Sequence, residues 1–339
     1  MGILKKILYG LNSLVAILLV ISFILPYVPP QTSPTLSVLS LAVSPLILIN
    51  ILFFFYWTIR LKKKALLSGL ILLIAYFHFN PFFEFSSEGD VSNYENNLTL
   101  LSYNVRLFNA YEKNPKEKNV PGIISEIIKE QQPDIISIQE YYREHEVDFS
   151  AYPYQYKYFK RKTTKLGHAI FSKYPLIEKG AFDFLESNNN GIYADVIVNS
   201  DTLRIYNLHL QSMSITPSVS SIQEENKDRL RKRIAGAFVK QQNQVVQVLA
   251  HKTTSKYPVL LSGDFNNTPF SYTYKELQND MKDTFIERGN GIGTTYSFDS
   301  YPMRIDYIFT SKSFDVLKFN TVEKTFSDHY PIVTTVGWD

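Results

Sequence analysis

The first 83 residues contain three long apolar stretches, at about 7–25, 36–57 and 65–79. A helix that crosses a bilayer needs about 20 mostly apolar residues. The second stretch reaches this length, and the first is uncharged throughout. The third is short, so it spans only if the aromatic run that continues to Phe83 lies in the far interface. The pattern predicts three transmembrane helices that anchor the chain in the plasma or inner membrane through residues 1–83.

Basic residues occur on one side of these stretches. Lys5 and Lys6 precede the first stretch, and a basic run at 60–64 separates the second from the third. The positive-inside rule places both groups in the cytoplasm, so three spans leave everything after residue 83 outside the cytoplasm. If the third stretch only dips into the bilayer, the rest of the chain is cytoplasmic. A cleaved signal peptide is an alternative for the first stretch, although two apolar stretches follow it.

After residue 83, shorter apolar runs alternate with polar segments. Residues 84–97 are polar and acidic and indicate a linker, which leaves 98–339 as a separate domain. The apolar pattern predicts strands at 98–105, 134–139, 167–172, 192–198, 203–208, 258–262, 303–309 and 332–336. Apolar residues at helical spacing predict helices at 121–132 and 224–251. Because strands dominate, we expect an α/β fold of two packed mixed β-sheets flanked by helices, a four-layer sandwich.

Six short polar motifs follow apolar runs in this region. They are Ser102-Tyr103-Asn104, Ile138-Gln139-Glu140, Asn207-Leu208-His209-Leu210, Gly263-Asp264-Phe265-Asn266, Arg304-Ile305-Asp306-Tyr307 and Ser327-Asp328-His329-Tyr330-Pro331. Each lies where a buried strand would deliver its last residue to a shared rim. Together they supply carboxylates, carboxamides and two histidines, a mixture that suits a divalent cation, a scissile phosphate and an activated water.

Charge is divided unevenly along the chain. The 339 residues include 35 Lys and Arg and 32 Asp and Glu, for a formal net charge of +3. Six of the basic and none of the acidic residues fall in 1–83, so 84–339 carries 29 basic and 32 acidic side chains. This balance argues against a broadly basic nucleic-acid-binding face. Two basic clusters, at 157–165 and 227–233, could meet an anionic substrate, but a solvated surface is the simpler interpretation of each.

Cysteine is absent, which excludes disulfides, thiolate nucleophiles and cysteine zinc sites. Side-chain oxygen atoms are therefore the ligands to consider for a metal ion in this chain. Glu140 ends an apolar run, where a carboxylate is costly without a partner, and Mg²⁺ favours such oxygen ligands. Asn104 offers a neutral oxygen and two donors for a metal or a phosphate. The alternative to a metal-binding role is that Glu140 is a carboxylate on the surface. The alternative for residues 264–266 is that they form an Asx turn with no catalytic role.

On these six motifs, residues 98–336 resemble the endonuclease/exonuclease/phosphatase superfamily of metal-dependent phosphoesterases, including deoxyribonucleases and neutral sphingomyelinases. The resemblance implies that Glu140 is the main metal ligand and that Asp328 is a metal-side carboxylate. It also implies that Asp264 positions or deprotonates the attacking water. By the same resemblance, Asn266 orients the phosphate or the metal.

The resemblance implies roles for both motif histidines. His329 contacts the scissile phosphate and serves in acid/base work, with Asp306 as its carboxylate partner. His209 is expected to stabilise charge or to protonate the leaving oxygen. In pancreatic-type deoxyribonucleases the first histidine also has a carboxylate partner, but the matching region 161–168 contains no acid. We therefore interpret His209 as unpaired, and its motif is also similar to that of neutral sphingomyelinases and deadenylases. A polar core residue is the alternative for either histidine.

The sequence thus predicts a membrane-anchored, Mg²⁺-dependent phosphoesterase, for which Mn²⁺ can substitute. We expect endonuclease-like hydrolysis of phosphodiester bonds by in-line attack of an activated water. A sphingomyelinase-like or phospholipase C-like head-group hydrolase is the alternative, and a small soluble ester is a third candidate substrate. A catalytically lapsed binding module is the alternative of another class, although none of the motif residues is missing. No protein partner is predicted.

Overall fold

The computed structural model describes residues 2–79, 82–112 and 118–339. Its α-helices are α1 (Ile3–Ser22), α2 (Pro34–Ser37), α3 (Val43–Ile59), α4 (Ala65–His78), α5 (Val120–Gln131), α6 (Val219–Glu224), α7 (Lys227–Lys252), α8 (Tyr272–Gln278) and α9 (Thr284–Arg288). Its strands are β1 (Glu84–Phe85), β2 (Asn96–Asn104), β3 (Ile135–Tyr142), β4 (Tyr154–Tyr158), β5 (Leu166–Ser172), β6 (Leu176–Phe182), β7 (Gly191–Val198), β8 (Asp201–His209), β9 (Val259–Asp264), β10 (Met281–Asp283), β11 (Asn290–Gly291), β12 (Tyr296–Phe298), β13 (Tyr301–Met303), β14 (Asp306–Ser311), β15 (Asp315–Thr321) and β16 (Ile332–Trp338).

The described chain divides into two compact units. The helical unit comprises Met1–Phe82, Asn226–Gln242 and Asn267–Glu276. The sheet unit comprises Phe83–Glu225, Asn243–Asn266 and Leu277–Asp339. The helical unit thus includes two segments from the part of the sequence beyond residue 97, and the predicted boundaries at residues 83 and 97 stay a prediction.

Two six-stranded sheets form the frame of the sheet unit. Sheet A has the order β15-β16-β2-β3-β5-β4, and sheet B has the order β10-β14-β9-β8-β7-β6. Strand β2 runs parallel to β3 and β8 runs parallel to β9, whereas the other neighbours in both sheets are antiparallel. The predicted α/β fold of two packed mixed sheets flanked by helices is therefore confirmed.

Alternation along β2 divides its side chains between two apolar clusters. Leu98 and Leu100 belong to a cluster to which both sheets contribute, with Ile205 of β8 among its members. Leu101, on the other face of the strand, belongs to a second cluster that includes Ile124 of α5. Sheet A is thus buried on both faces, as its long apolar runs require.

The predicted strands are present with shifted ends. The short strands β1, β11, β12 and β13 of the two-stranded sheets were not predicted, nor were four strands of the six-stranded sheets. These are β4, β6, β10 and β15, and they are the four edge strands of the two sheets. An edge strand buries fewer side chains, so its apolar alternation is weaker. The strand predicted at 303–309 is interrupted because the buried Arg304 leaves the ladder and its Nη1 binds Asp283 Oδ2 at 2.6 Å.

Residues 84–97 are held to the sheet unit by backbone hydrogen bonds. Strand β1 pairs with β11, and the Gly89 amide donates to the Leu317 carbonyl at 2.7 Å. The long predicted helix at 224–251 is α7, preceded by the separate short helix α6.

Two helices of the helical unit are long and apolar enough to cross a membrane. They are Ile3–Tyr27, with 25 residues, and Pro34–Ile59, with 26 residues, and in each the most apolar window is only 22% buried. The third apolar helix, α4, has 14 residues. At the rise of an α-helix it is about 21 Å long, against a hydrocarbon core of about 30 Å. The prediction of three transmembrane helices is therefore corrected to two of sufficient length and a third that is too short.

One end of this helical bundle is defined by aromatic and polar contacts. Lys64 Nζ lies 4.1 Å from the ring centroid of Tyr9 and 4.8 Å from that of Trp57. Trp57 Nε1 donates to Asn12 Oδ1 at 2.9 Å, and Asn12 Nδ2 donates to Ser68 Oγ at 2.6 Å. The start of α1, the end of α3 and the start of α4 therefore lie at the same end.

The opposite end brings α1 and α4 together again. His78 Nε2 lies 2.7 Å from the carbonyl oxygen of Phe23. The ring of Phe79 packs edge-on against that of Phe270, with centroids 5.1 Å apart. Because Phe270 belongs to the segment 267–276, that segment packs at this end of the bundle.

Candidate active site

The inward faces of the sheet unit change from apolar to polar as the strands approach one rim. On β2, Leu98 and Leu100 are followed on the same face by Ser102 and Asn104, all four of them buried. On β8 the corresponding series ends at His209, and on β9 it ends at Asp264. The period of two along a strand places these residues above the inter-sheet core.

A buried polar layer ties the two sheets together beneath this rim. Gln139 Nε2 donates to Ser102 Oγ at 3.1 Å and to Asn207 Oδ1 at 2.7 Å. Asn207 Nδ2 in turn lies 2.9 Å from the carbonyl oxygen of Ile138 and 3.0 Å from that of Ala169. These hydrogen bonds join β2, β3 and β5 of sheet A to β8 of sheet B, so the relative position of the strand ends is fixed.

Strand register brings three predicted site residues side by side in sheet B. His209 on β8 pairs with Asp264 on the parallel strand β9, and Asp264 pairs with Asp306 on the antiparallel strand β14. From sheet A, Asn104 Nδ2 donates to Asp264 Oδ2 at 3.0 Å. Asp264 therefore lies at the centre of the site.

The chain leaves β9 through a conformation that only glycine tolerates. Gly263 has a φ of +142°, and a Cβ there would lie 1.9 Å from the Leu208 carbonyl oxygen. The turn that follows lets the Asn266 amide donate to Asp264 Oδ1 at 2.7 Å. Burial raises the pKa of Asp264 to about 7; nearby His329 opposes this shift and Asp306 adds to it.

His329 and Asp306 form a buried pair. His329 Nδ1 lies 2.9 Å from Asp306 Oδ2, and its Nε2 lies 3.7 Å from Asp264 Oδ2. Burial alone would lower the pKa of His329, but Asp306 and Asp264 outweigh it and raise the pKa to about 10. The imidazole is therefore held as a cation whose Nε2 is directed at the centre of the site.

His209 has a different environment. Its Nε2 lies 3.6 Å from Asp264 Oδ2 and 3.9 Å from Glu140 Oε1. Behind it lies the buried ring of His168, with centroids 5.9 Å apart. Burial, together with His168 and His329, holds the pKa of His209 well below its usual range. The region at 161–168 thus contributes a second imidazole beside His209, in line with the interpretation that no carboxylate from that region supports it.

Glu140 lies at an irregularity of β3. The register between β3 and β5 shifts between Ile138 and Tyr141, and Glu140 has a φ of +53°. A bulge of this kind redirects a side chain from the ladder toward the rim. Burial raises the pKa of the Glu140 carboxyl, while His329 acts in the opposite direction.

Asp328 and Arg106 lie on the more open side of the site. Arg106 Nε lies 3.9 Å from Asp328 Oδ2, and its Nη2 lies 2.8 Å from Glu112 Oε1. The Arg106 amide donates to Asn104 Oδ1 at 3.0 Å. Arg106 begins a run of four residues with positive φ that turns the chain sharply after β2. Ser327 Oγ donates to the Asn104 carbonyl at 2.9 Å and so fixes the neighbouring Asp328 loop.

Two sets of side chains could hold a cation. Ligand atoms of Asp264, Asp306 and His329 lie within 4.8 Å of one another. A protonated imidazole offers no lone pair, so the charged state of His329 makes this set a poor one. Glu140, Asp328 and the Asn104 carboxamide provide the hard oxygens that Mg²⁺ prefers. The raised pKa of the buried Glu140 carboxyl is the response expected where a compensating cation would belong.

The eight predicted residues are thus placed as follows. Asn104, Glu140, His209, Asp264, Asp306, Asp328 and His329 converge on one rim of the sheet unit through the contacts described above. Asn266 reaches the site through its backbone amide, because its Nδ2 lies 3.0 Å from the Leu210 carbonyl oxygen. Their chemical roles stay predictions.

Sequence reasoning missed several side chains of the site. Gln139 and Ser327 lie inside two quoted motifs, and their position beside a predicted site residue was an available signal. Arg106 follows Asn104 by two residues and could have been found in the same way. Tyr296, whose ring centroid lies 4.8 Å from that of His329, comes from a short hairpin with no sequence signal. His168, the last residue of the region 161–168, is buried beside His209.

Comparison with known proteins agrees with this geometry. Residues 101–329 match the Endonuclease/Exonuclease/phosphatase family, and residues 5–82 match a domain described only as being of unknown function. No curated protein matches the sequence.

Solved structures share the fold of the sheet unit. An endonuclease/exonuclease/phosphatase family protein from Bacteroides thetaiotaomicron is 18% identical, covers 72% of this chain and 98% of its own, and has a TM-score of 0.54. The human Nocturnin catalytic domain with bound sulfate is 17% identical, with coverages of 72% and 94% and a TM-score of 0.51. Truncated Caenorhabditis elegans TDP2 is 18% identical, with coverages of 73% and 100% and a TM-score of 0.51. Because the family match extends over more than half of the residues and includes all eight predicted site residues, the chain belongs to the endonuclease/exonuclease/phosphatase family of phosphoesterases.

Proposed function

We propose that this phosphoesterase is a membrane-anchored, divalent-metal-dependent phosphodiesterase that uses an activated water. The observation that carries the proposal is the convergence on Asp264. Two imidazoles approach its Oδ2, His209 at 3.6 Å and the Asp306-paired His329 at 3.7 Å. A carboxylate that can take a proton, beside a cationic imidazole that can give one, suits hydrolysis of a phosphate ester.

The residues present fit a magnesium ion. Glu140, Asn104 and Asp328 would hold it through oxygen atoms, and Mn²⁺ would substitute. When bound, the ion supplies positive charge that polarises the phosphoryl group and stabilises the leaving oxygen.

Side chains of the candidate active site perform the proton transfers. Asp264 orients the attacking water and accepts its proton as the water oxygen forms a bond to phosphorus. His329 contacts a phosphoryl oxygen, and its Nε2 proton passes to the leaving oxygen as the opposite P–O bond breaks. His209 donates a hydrogen bond to the phosphoryl group. The backbone amide of Asn266 orients Asp264 by donating to its Oδ1. Asp306 stabilises the imidazolium of His329 and fixes its orientation. No covalent enzyme intermediate is needed.

The substrate class proposed first is a phosphodiester, cleaved in an endonuclease-like manner. Base rates within the family favour nucleic acid. The acidic balance of residues 84–339 and the membrane anchor favour a phospholipid head group, so a sphingomyelinase-like or phospholipase C-like activity is the second candidate. Either substrate uses the same phosphodiester chemistry at the same site.

Anchoring is supported by the helical unit. A buried core helix hides most of its surface, whereas the two long apolar helices leave most of theirs exposed. Lys64, with the other basic residues of its loop, lies at one end of the bundle, and Phe270 lies at the other. Although α4 is shorter than the hydrocarbon core, it begins at the Tyr9 and Trp57 end of the bundle and ends beside Phe23 at the other. If the basic end is cytoplasmic, the end that contacts the segment 267–276 is extracytoplasmic, which favours an extracytoplasmic position for the chain that follows α4.

The test uses the full-length protein in detergent with magnesium or with chelator. Plasmid DNA and sphingomyelin- or phosphatidylcholine-containing mixed micelles are offered side by side, and His329→Ala reports contaminating activity. Magnesium-dependent nicking that the variant lacks would support the nuclease assignment, whereas release of a phosphorylated head group would support the second candidate. A protein that binds either substrate unchanged, without turnover, and whose His329→Ala variant binds equally well, would be a binding module and would contradict the proposal.

A further inference from the structure

The two later segments of the helical unit are strongly basic. Residues 226–242 and 267–276 contain seven basic side chains against Asp228 and Glu276; the seven are Lys227, Arg229, Arg231, Lys232, Arg233, Lys240 and Lys275. The remainder of 84–339 contains 22 basic and 30 acidic side chains. The positive charge of this part of the chain is therefore concentrated where it joins the apolar helices.

Contacts within the helical unit place these segments at one end of the bundle. Arg231 Nη1 donates to Thr35 Oγ1 at 2.8 Å, and Thr35 lies in the first turn of the second long apolar helix. The amide of Gln31, which lies in the connection between the two long apolar helices, donates to Gln242 Oε1 at 2.8 Å. Lys275 Nζ lies 4.6 Å from the ring centroid of Tyr27. This end is opposite to the one at which Lys64 contacts Tyr9 and Trp57.

The first turns of α7 present their charge outward. Lys227, Arg229 and Lys232 are exposed, while Ile234 and Phe238 of the same helix are buried. Helices α1, α3 and α4 carry many exposed large apolar side chains that suit a bilayer. Basic side chains next to such a surface lie at the depth of the lipid head groups, where each one attracts anionic lipid.

The positive-inside rule does not explain this charge. It accounts for the basic loop at 60–64 but leaves the other end of the bundle without a reason to be basic. A single-strand nucleic-acid surface would combine the cations with exposed aromatic platforms. The first turns of α7 contain no aromatic residue before Phe238, which is buried.

We infer that the first turns of α7 bind the head groups of anionic phospholipids, in the leaflet opposite to the one that faces the basic loop at 60–64. The inference rests on the proposed membrane anchoring and adds a lipid preference to it. The enzyme would thereby gather anionic lipid around the end of the bundle that its catalytic chain joins.

The absence of cysteine allows a local test. Gly236 is exposed on α7, and a Cβ there meets nothing within 4 Å, so Gly236→Cys can carry a fluorescent donor. The labelled full-length protein is placed in phosphatidylcholine nanodiscs that contain an equal mole fraction of acyl-chain acceptor on either phosphatidylglycerol or phosphatidylcholine. We expect the local acceptor density to be at least about twofold higher for phosphatidylglycerol, and to equalise in high salt.

Two charge-matched variants make the test specific. Lys227→Gln with Arg229→Gln and Lys232→Gln should abolish the preference. Lys162→Gln with Lys256→Gln and Lys312→Gln removes three exposed lysines from the sheet unit and should leave it intact.

Each outcome separates this inference from the anchoring on which it rests. Failure of the protein to enter nanodiscs would contradict the anchoring itself. Insertion with equal acceptor densities for the two lipids would overturn the lipid preference alone. Equal densities together with loss of oligonucleotide retention in the α7 variant would reassign the cluster to nucleic acid.

Discussion

At the residue scale, the chemistry depends on how differently the two histidines are supported. Asp306 contacts His329 at 2.9 Å, whereas His209 has the imidazole of His168 beside it. One imidazole is therefore held as a cation and the other is kept neutral. In the proposed mechanism, these opposite protonation states let one histidine serve as proton donor and the other as hydrogen-bond donor at one phosphate.

Replacing Asp306 with Asn should remove the charge that supports the His329 cation. We expect kcat to fall by about 10²–10⁴-fold, the range associated with loss of positioned acid catalysis, while the protein remains folded. Steady-state kinetics at saturating magnesium would measure this, with Glu323→Gln, an exposed carboxylate, as the control. A variant with wild-type kcat would contradict the acid role of the pair.

His168 makes stability depend on pH. Burial lowers its pKa from 6.5 to about 3, so between these values the unfolded chain binds a proton that the folded chain does not. The stability that the neutral His168 side chain contributes to the folded state is fully present above pH 6.5 and is lost progressively as the pH falls toward 3. Between pH 7 and pH 5, the free energy of unfolding should therefore fall by about 2 kcal/mol less in His168→Gln than in the wild type. Denaturant unfolding at both pH values measures this, and equal losses in the two proteins would refute it.

At the scale of the element, the site is built from the ends of strands and from the irregularities that follow them. Strand β9 has the positive-φ Gly263 directly before its last residue, Asp264, and β3 carries Glu140 on a bulge. Asn104 is followed by left-handed residues beginning at Arg106. Strained conformations of non-glycine residues persist only where the surrounding structure holds them, here the polar layer around Gln139.

Gly263→Ala should disrupt the exit from β9. Its Cβ would lie 1.9 Å from the Leu208 carbonyl oxygen, so β8 and β9 must separate and displace Asp264 from His209. We expect a loss of stability of at least about 2 kcal/mol and loss of activity. Thermal unfolding measures the first effect. The matched control is Gly236→Ala in α7, where the space is open and about 1 kcal/mol of stabilisation is expected. Similar behaviour of the two variants would show that the geometry at Gly263 is not essential.

At the scale of the whole molecule, two kinds of surface are combined in one chain. The helical unit exposes large apolar side chains, and the sheet unit buries its apolar residues in clusters on both faces of sheet A. Segments of residues 84–339 belong to the helical unit as well, so the sequence crosses between the units several times. Removing residues 1–83 would therefore leave exposed the faces of 226–242 and 267–276 that pack within the helical unit.

The proposed orientation predicts which positions reagents reach from outside. Single cysteines at Lys63, in the basic loop, and at Lys162, on the sheet unit, can be compared because the natural chain has none. An impermeant maleimide on intact cells should label Lys162→Cys and should reach Lys63→Cys only after permeabilisation. The reverse pattern would place the catalytic part in the cytoplasm.

The sequence alone determined the fold class, the family and the strand ends at which the chemistry lies. It did so because buried strands impose continuous apolar runs, and a polar residue at the end of each run is conspicuous. The edge strands escaped detection because they bury too little to show that pattern. The domain boundaries and the roles of the eight site residues stay predictions.

Only the tertiary structure decided which residues meet. Asp264 is 160 positions from Asn104, and the hydrogen bond between them depends on the register of two sheets. His168 beside His209 and the bulge at Glu140 follow from packing between strands, which no local pattern encodes. The structure likewise decided the length of α4 and the inclusion of 226–242 in the helical unit. Contacts between residues far apart in the sequence fix where an apolar or basic segment lies.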